Sequence, residues 1–235
     1  MSNSYFSFKQ FTINQEKAAF KVGTDGVLLG AAADPAGASR ILDIGSGTGL
    51  IAIMLAQRCD ARITAIEPDS ESYIQCLENV SLCRWSDRIR VEHTNLQNFQ
   101  PADYFDLAVI NPPYFSESLK NPDPRKSSSR HNDSLTNDDL LKNVSRLLGA
   151  TGRLQLILPY AEGNIFIADA SGFGFYCNSI LKIRPLPSSE IRRMILTFSR
   201  QRLSPTEKFL TIEHGQRHEF TEDYINLTKE FYLKF

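Results

Sequence analysis

The feature that most constrains this chain is a glycine-rich turn set between a strand and a helix. Ile41–Leu42–Asp43–Ile44 is a short apolar run, Gly45–Ser46–Gly47–Thr48–Gly49 follows it, and Leu50 to Arg58 has helical character. Glycines let the backbone turn tightly and let a ligand approach closely. The free N–H groups at the start of the following helix face the same space. From Arg40 onward strands and helices alternate. Arg62–Ile66, Arg88–Glu92, Phe105–Ile110 and Gly152–Leu158 read as strands. Ser70–Arg84 and Thr136–Leu148 read as helices, capped by Ser70 and Thr136. Strands separated by helices of this length predict right-handed βαβ units and a mainly parallel sheet. After Gly172 the pattern changes, and Phe173–Ile183 with Arg192–Phe198 predicts an antiparallel pair closing the sheet. Asn121–Asp133, rich in Pro, Ser and charge, predicts a mobile loop.

Composition narrows the function. The chain has 235 residues and a formal net charge of −1, long enough for one large domain and without an overall attraction to polyanions. Four scattered cysteines with no CxxC pair predict reduced thiols in a cytoplasmic protein, with no metal. His93 and His131 likewise lack metal spacing; His214 and His218 sit four apart, but Gly215 between them weakens a helix, so a solvated tail is expected there. The start of the chain is polar and aromatic, unlike a signal peptide, and the longest apolar runs are too short to span a bilayer, so no membrane is expected.

Two further segments carry chemistry. An acid at the end of the strand after the glycine turn can hold ribose hydroxyls, and Glu67 lies 18 residues beyond Gly49. Asn111–Pro112–Pro113–Tyr114 follows the strand Phe105–Ile110. Proline cannot donate a ladder hydrogen bond, so the strand ends there, where α/β sheets place their ligands. The chemistry of a planar conjugated amine suits this set. The Asn111 side-chain oxygen and the Pro112 carbonyl can each accept one N–H, and Tyr114 can stack on the ring. Lys21 and the turn at Thr24–Asp25, read as the cap of a helix running into Ala33, can lie over the same crevice.

The loop is G-x-G-x-G rather than the dinucleotide fingerprint G-x-G-x-x-G, and an aspartate stands two residues before it. It resembles the first motif of class I S-adenosylmethionine (SAM)-dependent methyltransferases. The tetrapeptide resembles the substrate-amine motif of adenine-N6, some guanine-N2 and glutamine-N5 enzymes. Over the whole chain, "FSFKQF", "KVGTDGVLLGA", "LDIGSGTGLIAIMLAQR", "ENVSLCRWSDRIRV", "NPPY" and the final "FYL" resemble the bacterial tRNA1(Val) adenine-N6 methyltransferase family. The resemblance implies a Rossmann-like α/β fold, with a seven-stranded, mainly parallel sheet, helices on both faces and a C-terminal antiparallel strand pair. It implies one domain over residues 1–235, with an arm and cap helix (1–39), a catalytic core (40–200) and a C-terminal extension (201–235). It implies SAM contacts at Lys21, Thr24, Asp43, Gly45, Gly47 and Glu67, with Asn95 standing where the family carries an acid. It implies amine recognition by Asn111, Pro112, Pro113 and Tyr114, and a monomer acting on a valine tRNA. Two other readings stay open at this point: a glutamine-N5 protein methyltransferase acting on a release factor, and a nucleotide-binding module without catalysis.

The net charge hides a separation. Residues 60–110 hold 9 acids and 4 bases, whereas residues 182–202 hold 6 bases and 1 acid. Arg125, Lys126 and Arg130 in the predicted loop, with Arg192 and Arg193 beside the last long strand, form a candidate RNA surface. The balanced total therefore does not exclude RNA.

Overall fold

The structure, a computed structural model, describes residues 3–112 and 135–235. An N-terminal hairpin, β1 (Tyr5–Ser7) and β2 (Thr12–Asn14), leads to helix α1 (Thr24–Ala32). Then come β3 (Arg40–Ile44), α2 (Leu50–Arg58), β4 (Arg62–Glu67), α3 (Ser70–Leu82), β5 (Ile89–His93) and β6 (Phe105–Ile110). Beyond residue 134 follow α4 (Asn137–Leu147), β7 (Leu148–Pro159), α5 (Tyr160–Gly172), β8 (Tyr176–Arg184), β9 (Arg193–Ser199), β10 (Thr206–Thr211) and α6 (Glu222–Thr228).

The main sheet has the order β10-β8-β9-β7-β6-β3-β4-β5. Strands β3 to β7 pair in parallel, and β9 is antiparallel to both β7 and β8, as the expected C-terminal pair requires. The sheet has eight strands rather than the seven expected. The eighth, β10, runs parallel to β8 at the edge and exposes most of its side chains. Edge position explains why Thr206–Thr211 carries no buried-strand pattern.

Alternation along the strands builds two cores. Ile41, Ile63 and Leu107 point to the layer of α1, α2 and α3, where the N-terminal hairpin and Phe231 also pack. Leu42, Ile66 and Ala108 point to the layer of α4 and α5, closed by Phe166 and Phe198. Local details differ from the sequence reading. Asp69, not Ser70, caps α3, because its carboxylate accepts the Ser72 N–H at 2.8 Å. Neither Thr24 nor Asp25 caps α1; the capping position is Gly23, and Asp25 pairs with Arg193 instead. The sequence reading assigns no element to α5. Its Gly163 disfavours a helix, yet packs against the end of the Met194 side chain on β9. The predicted loop Asn121–Asp133 lies outside the described residues. No described helix is long and apolar enough to cross a membrane.

Candidate active site

The strand order reverses at β3: β4 and β5 lie on one side of it, β6 and β7 on the other. Beyond the carboxyl ends of β3 and β6 such a reversal opens a crevice. The glycine turn lies there. The N–H groups of Gly45 and Ser46 both donate to the Ile66 carbonyl, at 2.9 and 3.1 Å, which ties the turn to β4. Gly45 and Gly47 have φ of +67° and +55°, and a Cβ on either would meet no atom within 4 Å. These residues are glycine because the backbone is left-handed and open to a ligand, not because protein crowds them. Gly49 differs: a Cβ there would lie 2.9 Å from the Cys76 sulfur, so it sets the packing of the turn on α3.

Two acids support the turn. Glu67, 7% exposed at the end of β4, accepts the Gly47 N–H through Oε2 at 2.7 Å and the Asp69 N–H through Oε1 at 2.9 Å. Burial raises its pKa, against the lowering effect of those two N–H groups. Each oxygen keeps a lone pair for a hydroxyl. Asp43, fully buried, accepts the Ala52 N–H of α2 through Oδ2 at 3.1 Å, while Oδ1 has no partner among the described residues. Burial pushes its pKa up to about 7; the Ala52 N–H works against this, and the Glu67 charge adds to it. A buried carboxylate oxygen without a donor, beside an open glycine turn, suits a ligand with a cationic group.

Asn111 and Pro112 follow β6 directly, half-buried at the other lip of the crevice. The Asn111 Nδ2 lies 3.8 Å from where a Cβ on Gly26 would sit, so the first turn of α1 adjoins this amide. Pro113, Tyr114, Arg125, Lys126 and Arg130 lie outside the described residues.

The other predicted residues are spread around the rim. Lys21 is exposed and donates to the Asn3 carbonyl at 3.1 Å. Thr24, Asp25, Arg192 and Arg193 line a cleft of about 300 Å³ between α1 and the ends of β8 and β10. Arg192 is exposed, whereas Arg193 donates Nε to Asp25 at 2.8 Å and so braces α1 against β9. Asn95 closes a local turn, its Oδ1 accepting the Asn98 N–H at 2.9 Å. Nearer Glu67, the rings of Tyr73 and His93 stack at 4.9 Å, with His93 Nε2 3.0 Å from the Pro68 carbonyl. Among the described residues no cluster of three or more His, Cys, Asp or Glu could hold a metal ion.

One set of supporting residues escapes the sequence reading. Ser72, Gln75 and Asn79 repeat on one face of α3, a pattern that reads as a solvated face, yet all three are buried. They hold the chain that leads into α1. Asn79 accepts the Asn14 N–H at 2.9 Å and donates to the carbonyls of Asn14 and Thr48, both at 2.8 Å. Gln75 accepts the Lys17 N–H at 3.0 Å and Ser72 Oγ the Ala19 N–H at 3.2 Å. Asn79 thereby joins the arm to the glycine turn. Only the buried polar character of these side chains would reveal this, and burial is not visible in a helix pattern.

This fold, with an open glycine turn, a supporting acid and Asn-Pro at the switch point, defines a Rossmann-like methyltransferase, the class whose cofactor is SAM. Residues 17–159 match the methyltransferase small domain family, and the chain belongs to it. It stands among proteins named tRNA1(Val) (adenine(37)-N6)-methyltransferase. One, from Phocaeicola vulgatus, is 45% identical over 233 residues, 99% of each chain. Another, from Trichodesmium erythraeum, is 42% identical over 240 residues, the whole of both chains. Among solved structures, a predicted O-methyltransferase from Agrobacterium tumefaciens shares the fold with a TM-score of 0.66 and 24% identity, over 88% of this chain and 96% of that one. The ribosomal protein L11 methylase of Lactobacillus delbrueckii subsp. bulgaricus aligns with a TM-score of 0.59 and 16% identity, over 81% and 84%.

Proposed function

We propose that this chain methylates the exocyclic N6 amine of an adenine in tRNA, the adenine at position 37 of tRNA1(Val). The observation that carries this reading is full-length similarity to enzymes of that name, at 45% identity over 99% of both chains. The open glycine turn and the unpartnered Asp43 Oδ1 support the cofactor site. SAM, when bound, supplies an electrophilic methyl group on a sulfonium. Gly45 and Gly47 would give it room, Glu67 would accept its ribose hydroxyls, and Asp43 would hold its ammonium. Lys21, Thr24 and Asn95 complete the binding site from the rim.

The amine's lone pair is delocalised into the adenine ring, so attack needs help. The Asn111 side-chain oxygen and the Pro112 carbonyl accept its two N–H bonds, which fixes the amine and aims its lone pair along the transfer axis. Pro113 stiffens the segment, and Tyr114 stacks on the ring. The amine proton becomes acidic only after the methyl arrives, so the site needs no strong general base. Arg125, Lys126, Arg130 and Arg192 contact phosphate, while Arg193 acts through α1. The same proposal takes residues 1–235 as one domain, working as a metal-free monomer in the cytoplasm.

The test is mass spectrometry of nucleosides from unmodified tRNA incubated with the protein and labelled SAM. N6-methyladenosine in the valine tRNA is expected, and is lost in Asn111→Ala with the fold intact. No methyl transfer to tRNA refutes the reading, and methylation of a release-factor peptide instead replaces it with a glutamine-N5 activity.

A further inference from the structure

A cavity of about 640 Å³ opens at the amino ends of β3, β4 and β5, the opposite rim of the sheet from the glycine turn. Its wall holds Arg40, Arg62, Arg88 and Arg90, with Asp60 and Asp87. Residues 60–110 carry only four bases against nine acids, and three of those four bases line this one cavity.

Sheet register brings the arginines together. Arg40 and Arg62 open adjacent parallel strands as direct partners, and Arg90 is the partner of Thr64. Thr64 is two residues from Arg62, so all three arginines leave the same face. Like charges directly opposite on a sheet are unfavourable. The chain offsets them with Asp60 and Asp87 in the wall and with two ion pairs at its edge. Arg40 pairs with Asp103 at 2.8 Å and Arg90 with Glu92 at 3.0 Å, both well-solvated pairs that exchange readily for another anion. Arg88 donates to the carbonyls of Ala56, Cys59 and Ala61, which fixes its charge in the wall. The Arg40 Nε is buried without a partner among the described residues. Among the described residues Arg62 is exposed and forms no ion pair.

We propose that this cavity is a phosphate site, occupied by the backbone of the RNA substrate at a distance from the target base. The inference rests on the function proposed above. Several convergent arginines on one open face suit phosphate, which arginine binds through two parallel N–H bonds. A free nucleotide fits less well. Among the described residues of the wall Phe105 is the one ring; it is 1% exposed and lies beneath Arg40, whose guanidinium is 5.3 Å from its centroid, so it offers no stacking face to a base. Strands of five or six residues separate the two rims by roughly 16–20 Å, a span that one arm of a folded RNA covers while its loop lies in the crevice. Such binding reads shape and backbone rather than sequence.

The test compares wild type with Arg62→Ser and the double variant Arg62→Ser, Arg90→Ser, in methylation of unmodified tRNA from 50 to 200 mM salt. SAM affinity and melting temperature serve as controls: affinity should not change and melting temperature should not fall, since removing Arg62 relieves its repulsion with Arg40. Expected is an unchanged kcat, a raised KM for tRNA, and a salt effect on KM that shrinks about three- to fourfold over this range for each phosphate no longer held. Variants with wild-type KM and salt dependence overturn the proposal. If inorganic pyrophosphate raises the melting temperature of wild type but not of the double variant, while KM for tRNA stays the same, the site serves a free anion and the RNA assignment is overturned. Absence of tRNA methylation by wild type is a different failure, that of the proposed function itself.

Discussion

Asp43 has a structural cost that its replacement should expose. Burial raises its pKa to about 7, above the ordinary 3.8. A carboxyl with a raised pKa in the folded state retains a proton there that the unfolded chain has released. Its contribution to stability therefore falls as pH rises from about 4 to about 7, and the penalty is complete above that. About three pKa units correspond to about 4 kcal/mol as an upper bound. Asp43→Asn removes the charge and keeps an oxygen for the Ala52 N–H. Even half of that figure raises the melting temperature by about 4–8 °C for a chain of this size. The gain should appear at pH 8 and vanish near pH 4, in calorimetry of both proteins across that range. SAM binding should move the opposite way, because a cationic ligand needs the carboxylate. Wild-type Kd for SAM is expected to rise about tenfold between pH 8 and pH 6, since a pKa near 7 leaves mostly carboxyl at pH 6. The asparagine variant should bind weakly with a flat profile over this range. A variant no more stable than wild type at pH 8, or one that keeps the wild-type pH profile of SAM affinity, refutes the reasoning.

Three other perturbations follow from the same geometry. Asn111→Ala should lower kcat by at least about 10²-fold, the scale for removing one preorganised polar partner, with SAM affinity and melting temperature unchanged by titration calorimetry and thermal scan. Gly47→Ala places a methyl group in the open space above the turn at φ +55°; about 1 kcal/mol of stability should be lost, with a larger loss of SAM affinity, both readable in one ligand-dependent melting series. Asn79→Ala leaves the Asn14 N–H and the Thr48 carbonyl without this partner. It should cost about 1–3 kcal/mol and raise KM for SAM more than it lowers kcat; equal kcat and KM for SAM in variant and wild type would show that the arm does not support the turn.

Much of this molecule is legible in its residues. The run Ile41 to Arg58 dictates a strand, a left-handed turn and a helix, because glycine adopts that backbone without strain and apolar side chains follow it inward. The prolines after Asn111 end β6 wherever the sheet lies. Short-range rules of this kind act within a few residues, so the order of the glycine turn, Glu67 and Asn111 could be read directly. What surrounds them could not. Whether Ser72, Gln75 and Asn79 face water or the N-terminal arm depends on chain more than 50 residues away. Arg193 could serve RNA or pair with Asp25; the pairing follows from α1 packing beside β9. The pairing of Arg40 with Arg62 likewise depends on strand register. The raised pKa of Asp43 is a property of burial, not of the aspartate. Local backbone preference and apolar pattern are encoded position by position, so sequence alone determined the fold class and marked the candidate segments. Solvent exclusion and partner choice arise only when distant segments meet, so the tertiary structure alone decided which polar groups support the site and which remain free to act.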